Sequence, residues 1–92
     1  MFYLLIYDVA ENYIERRAPF REAHLLLARE YAEQGLLVLG GALADPVDAA
    51  VLVFETDTID PIEAFVARDP YVQQGLIRSH RIRLWNVAID SR

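Results

Sequence analysis

The 92-residue chain contains no cysteine, which rules out disulfides, thiolate metal sites and a cysteine nucleophile. Positive charge is scarce too: nine basic residues stand against fourteen acidic ones, a formal net charge of −5. The long-range field therefore repels nucleic acid and anionic lipid. The N-terminal stretch Met1 to Tyr7 is apolar, but it lacks basic residues and stops at Asp8. It fits neither a signal peptide nor a membrane span, so a cytoplasmic protein with no membrane partner is expected. There is no short-period repeat, low-complexity run or linker, and a single domain over residues 1–92 is expected. No glycine loop suited to phosphate, no Ser-His-Asp signature and no metal-ligand spacing is present, so no cofactor and no metal are called for.

Apolar residues, by contrast, are abundant. At 54% of the chain they are too many for a disordered segment and more than a small monomer readily hides. A self-association surface is expected.

Residues 2 to 9 are dense in Phe, Tyr, Leu, Ile and Val with little alternation, the pattern of a central strand covered on both faces. A loop with an early helical turn is expected over 10–18. A helix follows from about Pro19 to Gln34, with proline in its first turn and Gly35 at the left-handed position beyond its end. Leu36 to Leu43 reads as a strand interrupted by Gly40 and Gly41, which mark either a bulge or a close approach to the backbone. After a turn at 44–48, Ala50 to Glu55 completes an antiparallel hairpin. The second helix opens at Asp60-Pro61-Ile62-Glu63, with Asp60 expected as N-cap and Glu63 at the capping-box position. Arg81 to Ile89 reads as the last strand.

This β-α-β-β-α-β order predicts an α+β fold, the ferredoxin-like sandwich in which two helices cover one face of a four-stranded antiparallel sheet. The other face is then open in a monomer. Packing two such sheets together would bury it, so a homodimer through the open sheet face is expected.

The chemistry concentrates in two stretches. In Arg17-Ala18-Pro19-Phe20-Arg21-Glu22-Ala23-His24, helical spacing puts His24 on one stripe with Phe20, Leu27, Ala28 and Tyr31, aimed inward. In Asp69-Pro70-Tyr71-Val72, proline stops the preceding helix and leaves Asp69 at its C-terminal end, where the dipole disfavours a carboxylate. Two readings stand for each residue. His24 is a core histidine or a proton carrier. Asp69 is the cap of a short turn beginning at Pro70, the partner of His24, or both, since a carboxylate has lone pairs for several donors.

The sequence R-A-P-x-R-x-x-H-L, a glycine-bounded turn into L-V-L-G-G, then D-P-Y-V-x-x-G-L and a final strand with tryptophan resembles the YciI-like (YCII-related) family over roughly residues 2 to 87. That resemblance implies a dimer of the dimeric α/β-barrel type. It also implies a catalytic pair in which Asp69 orients His24, leaving the second ring nitrogen to take or give a proton. Arg21, one turn before His24, would clamp an anionic group or form a surface ion pair. Arg17 is a weaker candidate of the same kind, and Tyr71 and Trp85 either line the pocket or pack as ordinary aromatics. Asp8 is a strand-end turn former or a second carboxylate near the cavity, and His80 is expected to be exposed.

The expected function is cofactor-independent acid–base chemistry of lyase or isomerase type on a small polar or anionic molecule. The alternative is a non-catalytic dimeric module that binds a small ligand. A cofactor-independent oxygenase is a weaker third reading, and the acidic balance disfavours an RNA-recognition module.

Overall fold

The computed structural model describes all residues from Met1 to Arg92. Strand β1 (Phe2–Val9) lies inside a four-stranded sheet of order β2-β3-β1-β4, built with β2 (Leu37–Ala42), β3 (Ala49–Glu55) and β4 (Ile77–Trp85). Every pairing is antiparallel. Helices α1 (Tyr13–Arg17) and α2 (Arg21–Glu33) join β1 to β2, while α3 (Asp60–Arg68) and α4 (Pro70–Gln73) join β3 to β4. All four lie on one face of the sheet, giving the ferredoxin-like α+β arrangement. No helix is long and apolar enough to cross a membrane.

Side chains alternate across β1 as a strand requires. Leu5, Tyr7 and Val9 are buried in the same cluster as Leu27, Tyr31 and Phe65 of the helices. Phe2, Leu4 and Ile6 point the other way and remain half-buried. On β3, Ala50, Leu52 and Phe54 join the core, and Ala49, Val51 and Val53 share the open face.

Helix α2 ends as its sequence indicates. Gly35 has φ +77, a conformation that costs glycine little, and the Leu36 amide closes back onto the Tyr31 carbonyl at 3.0 Å. Gly75, at φ +75, ends α4 in the same way, with the Leu76 amide on the Tyr71 carbonyl at 2.9 Å.

Several boundaries differ from the sequence reading. Pro19 lies in a 3-10 turn, Ala18–Phe20, and α2 proper begins at Arg21. Helix α3 is not capped by the Asp60 side chain: the residue ahead of its first turn is Ile59, whose carbonyl accepts from the amides of Ile62 and Glu63 at 2.9 and 3.0 Å. The last strand runs four residues earlier than Arg81 to Ile89, because Phe2 of β1 pairs with Trp85 and the partner strand goes no further. Val87 and Ile89 instead fold over the open face beside Phe2, Val53 and Trp85, around a small apolar cleft of about 180 Å³. The Arg92 guanidinium sits 5.2 Å over the Phe2 ring.

Strand β2 carries a bulge. Leu37 pairs with Phe54 and Leu39 with the adjacent Val53, leaving an extra residue on β2. The irregularity therefore precedes the two glycines, and Gly40 and Gly41 both line the cavity described next.

Candidate functional site

Between α2, α4 and the helix-facing side of the sheet lies a cavity of about 360 Å³. Behind its wall, held by the lining residues Tyr7, His24 and Tyr71, lies the fully buried carboxylate of Asp69. Three donors from three elements converge on it. His24 Nδ1 of α2 lies 2.8 Å from Oδ1, the Tyr7 hydroxyl of β1 donates to Oδ2 at 2.8 Å, and the Tyr71 amide of α4 donates to Oδ1 at 3.0 Å.

Local sequence explains the placement. The residue before a proline avoids the helical region, and Asp69 takes extended angles of φ −69 and ψ 118. That break ends α3 and turns the side chain back over the first turn of α4, where it caps Tyr71 N. The cap leaves lone pairs for His24 and Tyr7, so the two readings of Asp69 coexist. The dipole mismatch foreseen for this carboxylate is met by direct hydrogen bonds.

His24 is half-buried. Its ring stacks on Tyr71 with centroids 3.9 Å apart and planes 7° from parallel, and the edge of Phe65 approaches at 6.4 Å. With Nδ1 held by a carboxylate, the neutral ring carries its proton on Nδ1 and keeps the Nε2 lone pair free. The ring lines the cavity, and an imidazole so held can take a proton from a bound molecule or return one.

Three tyrosines surround this pair. Burial, then the charge of Asp69 and the hydrogen bond to it, push the Tyr7 hydroxyl far above the usual tyrosine range, so it stays a donor. Burial also raises Tyr13, against the pull of Arg17, whose guanidinium lies 5.2 Å over the Tyr13 ring. Tyr71 is raised by burial as well, although Arg21 and Arg17 act in the opposite direction. Neither guanidinium meets its hydroxyl in hydrogen-bond geometry, and that buried oxygen has no partner.

Arg17 and Arg21 line the cavity, and neither pairs with a carboxylate. The surface ion pair considered for Arg21 is therefore not formed. All nine basic residues of the chain are arginines, so no lysine amine is available for a Schiff base. No group of three or more His, Asp and Glu side chains converges as a metal site would require.

Of the residues singled out in the sequence, His24, Asp69, Tyr71, Arg17 and Arg21 come together. Trp85 does not. It pairs with Phe2 on the opposite face of the sheet, 45% exposed. Asp8 also faces that side, accepting from Ser79 Oγ at 2.7 Å, and His80 is exposed on β4. Tyr7 and Tyr13 were missed. A tyrosine on the inward side of a strand, between Leu5 and Val9, needs a partner for its hydroxyl, and that was the signal Tyr7 offered.

Comparison with known proteins bears on the family and the fold. No curated protein matches the chain. Among solved structures, it is similar to 5-chloro-2-hydroxyhydroquinone dehydrochlorinase from Burkholderia phenoliruptrix in complex with 2,5-dihydroxybenzoquinone, with a TM-score of 0.77 and 19% identity over 94% of each chain. It is also similar to a structural-genomics protein from Agrobacterium tumefaciens, with a TM-score of 0.61 and 17% identity over 99% of this chain and 98% of the other. At these identities the likeness is one of fold. The YCII-related domain matches residues 1–86, nearly the whole chain and both stretches that supply the His24–Asp69 pair, and the protein belongs to that family.

Proposed function

We propose that the chain, acting as one domain over residues 1–92, catalyses proton transfer on a small anionic organic molecule by lyase or isomerase-type chemistry. The observation that carries this reading is the 2.8 Å contact between His24 Nδ1 and the fully buried Asp69 carboxylate, at the wall of a cavity. His24 Nε2 acts as base and then acid. Asp69 holds the tautomer and orientation, and Tyr7 holds Asp69. Arg21 and Arg17, cations without carboxylate partners in a chain of net charge −5, recognise the negative group of the substrate. The similarity to a dehydrochlorinase, a lyase-type enzyme, lends the reaction class support from outside the chain.

The open sheet face supports a homodimer. Its half-buried Leu4, Ile6 and Val51 and the 62% exposed Leu39 form an apolar surface that a second sheet would cover.

The test is carbon-bound hydrogen exchange. A panel of small oxo acids and hydroxylated quinones in heavy water, followed by proton NMR, reveals deuterium incorporation if the protein removes a proton from carbon. The expected result is exchange by the wild type, lost by roughly 10²-fold or more in His24→Ala with the fold retained. Ligand binding by the wild type without exchange of any compound would replace this reading with a non-catalytic binding module.

A further inference from the structure

The proton-transfer scheme leaves the Tyr71 hydroxyl without a task. Tyr71 is among the most buried side chains of the protein, yet its oxygen meets no hydrogen-bond partner. Tyr7, equally buried beside the same carboxylate, does find one. A buried hydroxyl left unpaired is costly, and such a group in a native structure calls for an explanation. Three observations supply one: Tyr71 lines the cavity, its ring lies flat against the imidazole of His24, and two arginines without carboxylate partners line the same cavity.

We infer that the Tyr71 hydroxyl, flanked by Arg21 and Arg17, is an oxyanion site, and that the substrate is a small carbonyl compound deprotonated at the carbon next to its C=O group. The inference rests on the acid–base reading of His24 and names the substrate class for that site. Asp69 builds both halves of the machinery. The same Oδ1 that holds His24 Nδ1 accepts the backbone amide of Tyr71, so the base and the donor are positioned from one atom.

The step balances without an added reagent. His24 Nε2 takes the proton from the α-carbon, the C–H electron pair becomes the C=C bond of an enolate, and the carbonyl π pair moves onto oxygen. That oxygen accepts the Tyr71 O–H and faces the two guanidinia, so charge is stabilised where it develops. Return of the proton to a different atom completes an isomerisation. Departure of a leaving group with its electron pair from the next carbon completes an elimination. Burial keeps the Tyr71 hydroxyl protonated near neutral pH despite the arginines, as a donor must be.

The probe is 4-nitrophenolate, whose oxyanion stands in for the enolate oxygen and whose absorbance responds to hydrogen bonding. It is titrated into the wild type, Tyr71→Phe, Arg21→Gln and His24→Asn. Tyr71→Phe keeps the ring stacked on His24 and removes only the hydroxyl. The expected result is binding by the wild type, weakened roughly tenfold or more in Tyr71→Phe and weakened as well in Arg21→Gln, but kept in His24→Asn. Thermal stability of Tyr71→Phe should equal or exceed that of the wild type, since no bond within the protein is lost. The inference is overturned if the wild type ignores the phenolate, if Tyr71→Phe binds it as tightly, or if Tyr71→Phe melts lower because its hydroxyl served the fold. Arg21→Gln, at an exposed position, keeps the question answerable should Tyr71→Phe fold poorly: unchanged binding there also overturns it. Phenolate binding that follows this pattern, with no exchange of carbon-bound hydrogen in any compound, would instead sink the acid–base reading alone.

Discussion

Asp69 ties one site to three parts of the chain. The buried Tyr7 hydroxyl and Tyr71 amide both donate to it, so truncating the carboxylate strands two buried donors. Asp69→Ala should therefore destabilise the protein by roughly 2–4 kcal/mol, each stranded donor contributing about 1–2 kcal/mol. Tyr7→Phe, which removes a single donor and keeps the ring, should cost about 1 kcal/mol. Urea denaturation measures both, and equal stability of the two variants would contradict the three-donor description. The tyrosines also set a limit at high pH. Tyr7, Tyr13 and Tyr71 are all raised in the folded state, above the value near 10 expected for an unfolded chain. Between those values the folded state binds more protons than the unfolded one, so stability falls as pH rises. Their contribution is thus complete below about pH 10 and declines above it. Alkaline difference spectroscopy should find Tyr7 ionising only together with unfolding, and a reversible Tyr7 titration in folded protein would refute this.

At the scale of elements, the two glycines of β2 separate by their neighbours. A Cβ on Gly40 would meet Leu52 Cγ at 3.1 Å, whereas one on Gly41 would meet nothing within 4 Å. Gly41→Ala should stabilise by roughly 0.5 kcal/mol through the strand's backbone entropy, and Gly40→Ala should gain nothing or lose stability. Thermal unfolding of the pair decides it, and identical shifts would show that Leu52 yields freely. The sequence left a bulge and a close approach as alternatives at these glycines; the bulge lies before them, between Leu37 and Leu39, and the close approach, by Leu52, falls on Gly40. Periodicity was enough to place His24 inward on α2, because Leu27 and Tyr31 share its stripe and are buried. The Asp-Pro step was enough to end α3 at Asp69. Strand pairing lay beyond such local signals. The end of β4 is set by where β1 begins, far away in sequence, and this took Trp85 to the wrong face for a pocket residue and Val87 and Ile89 out of the strand. The Ile59 carbonyl took the place expected for the Asp60 side chain because backbone acceptors leave no mark in residue type. Tyr7 went unnoticed since its partner lies 62 residues on.

For the whole molecule, the sheet divides two tasks. The face under the helices carries the cavity, and the other carries the apolar surface proposed to meet a second copy. Val51 lies on that second face and does not itself line the cavity, although Gly41, its partner across the sheet, does. Val51→Lys should convert a dimer to a monomer in sedimentation velocity runs at micromolar protein while leaving phenolate binding in place. A wild-type protein that sediments as a monomer would remove the dimer proposal.

Strand β1 serves both faces, because its side chains alternate while its backbone is shared. The parity of a residue number there becomes a genetic label: changes at positions 3, 5, 7 and 9 fall on the helix-covered side, where Tyr7 reaches the cavity, and changes at 2, 4, 6 and 8 fall on the open side proposed to meet a second copy. Descendants of this chain can therefore alter the side proposed for catalysis without altering the side proposed for pairing, and the reverse, through neighbouring codons of one short segment.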